Sequence, residues 1–223
     1  MTSGVRFDKR AQARTTSGEW AAGILRENII AGHLKPGQRL SEQQLVEELS
    51  VSRNTLREAF RLLIHENLLD HELNRKISVR KLTEDNVVEI YRTRKFVECN
   101  AIRPLAEPPE KGLAAVRKAV ADGDAAAADG RWQDLGTANI HFHQAIAALA
   151  GIETLDILMA GKFAELRLVF HAMPDRRRFH EPYLAGNHEI LDLLETGDGQ
   201  RAAQRLAEYL DVAEAQLRRA YAE

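Results

Sequence analysis

Between residues 40 and 63 the apolar side chains recur at helical spacing in two short segments that are separated by a sharp turn. In the first segment Leu45 and Leu49 form one apolar stripe. Ser41 is placed to cap the N-terminus, with Gln44 as its capping-box partner. We therefore expect a short supporting helix that packs one face against the domain.

The second segment begins at Ser52, whose hydroxyl can cap the first helical turn. Val51 and Leu56 are spaced as a hydrophobic staple, and Leu56, Phe60 and Leu63 share one face that should point into the core. The first-turn residues that remain on the outward side are Arg53, Asn54, Thr55 and Arg57.

These outward residue types suit a helix N-terminus that enters the major groove of DNA. An arginine can bridge O6 and N7 of guanine, an asparagine can pair with adenine, and arginine or threonine can hold phosphates. The alternative is a surface helical hairpin with solvated arginines, because composition alone could mimic such contacts. The pattern favours a helix-turn-helix that reads DNA.

A strand-like period of two follows the second segment, where Ile77 and Val79 alternate with Ser78 and Arg80. This alternation predicts a two-stranded wing. The residues at its predicted tip are Asn74, Arg75 and Lys76. Such a tip can touch the DNA backbone or minor groove, although a basic hairpin tip also keeps a sheet edge soluble.

The chain before the two helices predicts one more helix and an arm. Residues 1–17 are polar and predict a flexible arm. A helix should run from about Ser17 to Ala31 and end at the Pro-Gly turn. Its expected inner residues are Trp20, Ile24, Ile29 and Ile30. The order helix, turn, helix, helix, wing predicts a winged helix-turn-helix over residues 18–82.

From Thr83 onward the pattern is helical throughout, with short breaks at glycine and proline. The predicted helices cover about 83–102, 109–129, 131–150, 153–172, 182–196 and 199–221. Residues 176–178 are expected to form a solvated loop. The fold class is therefore mainly α, with an antiparallel bundle of about six helices over residues 83–223 behind the winged domain.

Charge is divided unevenly along the 223 residues, whose 44% hydrophobic content can supply a real core. The net charge is −2, but residues 1–82 hold 14 Lys and Arg against 10 Asp and Glu, while the rest hold 17 against 23. A basic head on an acidic body fits a DNA-binding protein.

Three further features of the sequence concern its compartment. No stretch approaches the roughly 20 apolar residues of a membrane span. The N-terminus has no apolar signal region, so we expect a cytoplasmic protein. The single cysteine, Cys99, fits a reducing compartment and is expected to be a core residue rather than a nucleophile.

The head resembles the GntR family of bacterial transcription regulators, in particular its FadR-like subfamily with an all-helical FCD domain that senses a ligand. The resemblance rests on Ile30-Ala-Gly-His-Leu-Lys-Pro-Gly-Gln-Arg-Leu-Ser-Glu42 and on Val51-Ser-Arg-Asn-Thr-Leu-Arg-Glu-Ala59. It implies a homodimer on a palindromic operator, with a small organic acid changing the affinity for DNA. The implied DNA contacts are Ser52, Arg53, Asn54, Thr55, Arg57 and the wing, with Arg39 as a further candidate.

The head departs from the family pattern at two positions. Ser50 stands where the turn usually has a glycine, and we expect a modest backbone cost or slightly different dihedral angles there. Lys76 stands where the wing tip commonly has a glycine, which adds a positive charge that could bind phosphate.

The resemblance also implies a divalent metal site in the helical domain, held by one Asp and three His. The matching positions are Asn139, His143, His188 and Tyr209. Only His143 and His188 are imidazoles, so two strong ligands for an ion such as zinc are missing. We expect His143, Asn139 and Tyr209 to hydrogen-bond the effector directly, with His188 as a second polar wall of the pocket. A metal on the two histidines and a purely structural role are the alternatives.

Two arginines are further candidates for binding a carboxylate effector. Arg167 has apolar neighbours along its helix, and a partly enclosed arginine requires an anion, which could be the effector or a structural glutamate. Arg94 lies one turn before Glu98, so it can bind the effector or form a structural ion pair.

The sequence favours a ligand-responsive transcription regulator, most often a repressor, that binds double-stranded DNA and does not cross a membrane. A metal-dependent sensor that uses His143 and His188 is the main alternative, and a DNA-binding protein without an effector is another. An enzyme is not expected, because neither HExxH nor a nucleophile elbow occurs in the sequence.

Overall fold

The computed structural model describes residues 16–72, 76–171, 173 and 175–222. The chain forms two compact units, Met1–Leu82 and Thr83–Glu223. Most of the predicted arm, together with Asn74 and Arg75 of the predicted wing tip, lies outside the described residues.

The first unit is a winged helix-turn-helix, as the sequence predicts. Its elements are α1 (Ser17–Ile30), β1 (Arg39–Leu40), α2 (Glu42–Leu49), α3 (Arg53–His65), β2 (Leu69–Glu72) and β3 (Lys76–Val79). The two predicted strands of the wing are β2 and β3, which pair antiparallel, and the sequence missed a third strand, β1, which gives the sheet the order β1-β3-β2. The added strand pairs Arg39 with Ser78 and Leu40 with Ile77. These contacts are distant along the chain and leave no period in the sequence.

Placing β3 in the centre of the sheet changes two predictions. Ser78 was expected to alternate with buried neighbours, yet it is buried and Ile77 only half-buried, because strands flank β3 on both sides. Lys76 lies inside β3, opposite Glu72, and not at the tip. The sheet therefore fixes the backbone of Lys76, while its side chain is exposed.

Side-chain caps fix the residues at which the first three helices begin. Thr16 and Glu19 form a capping box at α1. Ser41 accepts the Gln44 amide at α2, and Ser52 accepts the Thr55 amide at α3. The predicted inward residues Leu45, Leu49, Leu56, Phe60 and Leu63 are all buried. On α1 the predicted inner residues Ile29 and Ile30 are fully buried, as is Leu25, whereas Trp20 and Ile24 are half-buried.

The second unit consists of helices in its described part, as predicted. They are α4 (Glu84–Ile102), α5 (Glu110–Ala128), α6 (Trp132–Ala148), α7 (Glu153–Phe170), α8 (Arg176–His180), α9 (Tyr183–Glu195) and α10 (Gly199–Ala222). Helix α8 contradicts the solvated loop predicted over 176–178. Asp175 caps α8 by accepting the Arg178 amide, a short local signal that hydrophobic periodicity does not reveal.

The core of the second unit is apolar around one polar region. Its largest fully buried side chains include Phe142, Phe163 and Phe179, and also Arg94 and Tyr91. Cys99 is buried, as predicted, and burial raises the pKa of its thiol to about 11. Among the helices described, none has both the length and the hydropathy needed to span a membrane.

Ser50 is the residue at which the helix-turn-helix carries backbone strain. It ends α2 in the left-handed region, with φ of 54° and ψ of 41°. Non-glycine residues pay about 1–2 kcal/mol for this conformation. Replacing the usual glycine by Ser50 therefore retains the turn geometry at an energetic penalty.

We expect Ser50→Gly to raise the free energy of unfolding by up to about 1 kcal/mol, because glycine adopts positive φ without a Cβ clash but loses more entropy on folding. Urea unfolding followed by circular dichroism measures the change. Gln43→Gly in α2, where the backbone is right-handed, should instead lower stability by about 1 kcal/mol. Equal effects of the two glycines would contradict this account of the turn.

Candidate functional site

The first turn of α3 presents polar side chains to the surface. Arg53, Asn54 and Arg57 are exposed and Thr55 is half-buried. The opposite face is anchored in the core by Leu56, Ala59, Phe60 and Leu63. Because the buried face fixes the rotation of the helix, the outward residues have a defined direction and form a rigid edge.

Two hydroxyl groups in this turn already have structural partners. The Ser52 Oγ accepts the Thr55 amide at 3.1 Å and lies 2.8 Å from the Thr55 Oγ1. Ser52 therefore holds the helix N-terminus in shape. One of the two hydroxyl protons lies between the oxygens, so the pair still offers the other proton to an outside acceptor such as a phosphate oxygen.

Glu42 orients Arg57 from the neighbouring helix. The Arg57 Nε lies 3.3 Å from Glu42 Oε2, and Nη2 lies 3.2 Å from Oε1. Exposed pairs of this kind add only about 0–1 kcal/mol to stability. The ion pair restricts the Arg57 guanidinium while leaving it half exposed. The position of Glu42 within the α2 pattern did not indicate this role.

Basic side chains border shallow grooves between α3 and the sheet. One groove is lined by Arg57, Arg61 and His71, and the adjoining groove by Arg39 and Lys76. Arg61 was not among the predicted contacts, although its position one turn after Arg57 on the outward side of α3 could have indicated it. The grooves connect the exposed end of α3 with the strands of the wing.

In the second unit, polar side chains from four helices meet inside the core. We call this group the buried polar cluster. Its members are Arg94 and Glu98 of α4, Asn139 and His143 of α6, Asn187 of α9 and Tyr209 of α10, all of them buried. Three predicted effector residues besides Arg94 are thus together, and Glu98 and Asn187 join them.

Hydrogen bonds divide the buried polar cluster into two connected parts. Arg94 Nε donates to Glu98 Oε1 at 2.8 Å, and Glu98 Oε2 lies 2.6 Å from His143 Nδ1. On the other side, the Tyr209 hydroxyl and the Asn187 Nδ2 both donate to Asn139 Oδ1, at 2.9 and 3.1 Å. The rings of His143 and Tyr209 contact each other edge to face, which joins the two parts.

Electrostatics fix the charges in this group. Burial alone would raise the pKa of Glu98, but Arg94 and then His143 outweigh it and lower the pKa. Burial alone would lower the pKa of Arg94, and Glu98 reverses this. For His143, burial and the charge of Arg94 lower the pKa despite Glu98. The cluster therefore holds one cation, one carboxylate and a neutral imidazole.

The carboxylate also assigns the proton on His143. An ionised Glu98 can only accept, so the neutral imidazole must carry its proton on Nδ1, and Nε2 presents a lone pair. Burial raises the pKa of Tyr209 well above its ordinary value, so its hydroxyl remains a donor.

Three buried polar atoms of the cluster find no hydrogen-bond partner among the described residues. They are Arg94 Nη2, His143 Nε2 and Asn187 Oδ1. An unsatisfied buried group costs about 1–3 kcal/mol. One donor and two acceptors are thus available to a polar molecule, which would recover this penalty on binding.

His188 does not belong to the cluster, contrary to the prediction. Its half-exposed side chain lies 3.0 Å from Asp124 on α5. Asn187 faces inward instead, on the side of α9 that also buries Ile190 and Leu194. Because successive helical residues differ by about 100° in direction, an error of one residue moves a side chain from the interior to the surface.

The residues present do not fit a divalent metal. His188 is at the surface and His143 in the core, so the predicted pair of imidazole ligands does not converge. The remaining predicted ligands are the amide of Asn139 and a protonated phenol. Within the described part of the chain, no three His, Cys, Asp or Glu side chains are grouped to hold an ion.

Arg167 also lies apart from the buried polar cluster. Its guanidinium approaches the backbone oxygen of Gln133, and near it are Arg176 and His180. Gln133 precedes His143 by ten residues on α6, which is about 15 Å along the helix. The predicted effector residues therefore do not form one site. Arg167 lies near the start of α6, His188 is at the surface, and the others are in the buried polar cluster.

Comparison with known proteins assigns the family. Residues 18–79 match the profile of the bacterial regulatory proteins of the gntR family, and residues 89–212 match the FCD domain. The chain belongs to the GntR family and carries an FCD domain. The two matches fall within the winged unit and the helical unit, respectively.

The similar proteins include a regulator whose structure has been solved and a regulator described as uncharacterised. A putative GntR transcriptional regulator from Rhodococcus sp. RHA1 is 45% identical, with a TM-score of 0.82 over 91% of this chain and 98% of that one. The YdhC regulator of Bacillus subtilis is 37% identical over 95 residues, which is 42% of each protein. A probable D-xylose utilization operon repressor of Paenarthrobacter nicotinovorans is 27% identical, over 88% of this chain and 87% of its own.

This GntR-family protein should lose stability as the pH falls below about 6.5. Burial, then Arg167 and Arg176, lower the pKa of His180 to about 3, and the pKa of His143 is lowered too. The unfolded chain binds these protons first, so each histidine adds a slope of up to about 1.4 kcal/mol per pH unit, from pH 6.5 down to the folded pKa.

Urea unfolding between pH 7.5 and 5.0 measures this slope. His180→Phe retains an aromatic ring against Phe170 and Phe179 and should flatten the slope by the amount of one proton. His188→Gln, at the exposed face of α9, is the control for replacing a histidine in the helical unit. An unchanged slope in His180→Phe would show that His180 is not held neutral by its surroundings.

Proposed function

We propose that this chain is a ligand-responsive repressor that binds a palindromic operator as a homodimer. The observation that carries the proposal is the exposed, rigidly anchored first turn of α3, with Arg53 and Asn54 outermost. These are residue types that read base edges in the major groove. The repressor assignment is supported by the name of the Paenarthrobacter relative.

In this proposal the contacts have different roles. Arg53 and Asn54 read bases, while Arg57, oriented by Glu42, and the Ser52 and Thr55 hydroxyl pair bind the phosphate backbone. Arg39 and Lys76 extend the phosphate contacts along the sheet. Asn74 and Arg75 remain proposed contacts of the wing. Phosphate contacts give affinity and register, and base contacts give the sequence preference.

A homodimer is required because a two-fold operator has two equal half-sites. A second copy of the chain could cover the apolar surface around Phe96 and Val212, whose side chains are 74% and 62% exposed. The ion pair of Lys95 and Asp211 joins α4 and α10 beside both residues. Apolar side chains with this exposure on two packed helices support an interface there.

The effector would bind at the buried polar cluster. A carboxylate of a small organic acid can accept from Arg94 Nη2, and a hydroxyl on the same molecule can donate to His143 Nε2 or Asn187 Oδ1. Regulation follows if the acid binds one dimer geometry more tightly than the other. A coupling of about 1–3 kcal/mol changes the affinity for DNA several-fold to about a hundredfold.

Arg53→Ala should weaken binding to a palindromic fragment from the gene's own upstream region by about 1–3 kcal/mol, because a bidentate base contact is lost. Fluorescence anisotropy at fixed salt measures the change. Arg92→Ala removes an equal charge from an exposed position of the helical unit and serves as the control. If both variants bound the fragment with the same affinity, α3 would not be the reading helix.

Binding of organic acids should depend on Asn187 and not on a metal. Differential scanning fluorimetry with acetate, lactate and gluconate tests this, and we expect the hydroxy acids to raise the unfolding midpoint most because they also donate hydrogen bonds. Asn187→Ala should reduce the shift, whereas His188→Ala, its outward neighbour, should not. Loss of the shift in EDTA, or near-stoichiometric metal in the purified protein, would contradict a metal-free site.

A further inference from the structure

A second group of basic side chains lies at the start of α6, away from the buried polar cluster. We call it the arginine cluster. It comprises Arg167 of α7, Arg176 and His180 of α8, and Gln133 and Gly136 of α6. Both arginines approach one glutamine: Arg176 Nη1 donates to Gln133 Oε1 at 2.8 Å, and Arg167 Nη1 and Nη2 each lie 3.4 Å from the Gln133 backbone oxygen.

The charges in the arginine cluster repel one another. Burial and then Arg176 lower the pKa of Arg167 to about 10, against an opposing effect of Asp134. The Arg167 guanidinium is therefore still protonated at neutral pH. Asp134 is itself exposed and forms an ion pair with Arg131 at 2.5 Å. Two cations thus share one region, and an anion between them would relieve their repulsion.

His180 supplies a buried polar atom beside the two arginines. Its side chain is only 3% exposed, and its Nδ1 has no hydrogen-bond partner among the described residues. A Cβ added at Gly136 would lie 2.6 Å from its Nε2 and 3.0 Å from its Cε1. The Nε2 and Cε1 edge of the ring therefore faces the first turns of α6, where Arg167 Nη1 also lies close to Gly136.

The N-terminus of α6 adds a further attraction for negative charge. The helix begins at Trp132, and Arg131 at its N-cap makes no side-chain capping hydrogen bond. The first amides of a helix and its macrodipole favour an anion at this end. Half-buried Arg176 gives access from the surface, whereas Arg167 lies inside.

We propose that the arginine cluster binds a small oxyanion, a phosphate or carboxylate group, at a site distinct from the proposed effector site. Arg167 and Arg176 supply charged donors that match the geometry of an oxyanion, and neutral His180 supplies one more donor from the tautomer protonated on Nδ1. The site requires neither DNA binding nor occupancy of the buried polar cluster, so it is independent of the proposed function.

Isothermal titration of the full chain with sodium phosphate tests the proposal, with sodium chloride at the same ionic strength as the reference. We expect saturable phosphate binding, and Arg176→Gln should weaken it at least about tenfold because one charged hydrogen bond is lost. Arg176 is half-buried, so this variant should fold. Arg178→Gln, an exposed arginine two residues later, is the matched control and should bind phosphate as the parent chain does.

Every result of this titration either supports or contradicts an oxyanion site at the arginine cluster. Exposed arginines of the winged unit would also attract phosphate, so the test lies in the difference between Arg176→Gln and Arg178→Gln. Equal affinities in the two variants, or phosphate binding no tighter than chloride, would overturn the proposal. Succinate in place of phosphate identifies the source of the oxyanion: tighter succinate binding that is lost in Arg176→Gln assigns the site to carboxylates. Unchanged DNA binding in Arg176→Gln would leave the proposed function intact.

Discussion

The ion pair between Arg94 and Glu98 organises the helical unit. Both side chains are almost completely buried, with 2% and 0% exposure, and a buried charge is tolerated only when it is paired and hydrogen-bonded. Removing either partner would leave the other as an isolated charge in the core, at a cost of several kcal/mol. The guanidinium also lies over the rings of Tyr91 and Phe163, which ties α4 to α7.

This ion pair determines the proton position on His143 in the buried polar cluster. An ionised Glu98 places the proton of His143 on Nδ1 and leaves a lone pair on Nε2, while the ring packs edge to face against Tyr209. Asn139 accepts from Tyr209 and Asn187 and so connects α6 to α9 and α10. In this arrangement hydrogen bonds between neutral groups join several helices at one point.

The two units place their functional arginines differently, at the surface in the winged unit and in the interior in the helical unit. The winged unit keeps Arg53, Arg57 and Arg61 of α3 at the surface, where their charge is accessible to phosphate. The helical unit encloses Arg94 and Arg167, and each enclosed arginine is a strong local source of potential. Weak dielectric screening in the interior strengthens the interactions of these charges.

The sequence by itself determined the winged helix-turn-helix, the helical body and most helix boundaries, because capping and apolar periodicity act over a few residues. Ser52 and Leu56 show this, as does the strained conformation expected at Ser50. Tertiary structure decided the rest. The third strand, the inward rotation of Asn187 in place of His188, and the separation of Arg167 from Arg94 depend on contacts between distant segments. A helix turns by about 100° per residue, so its buried face is fixed only when its neighbours are in place.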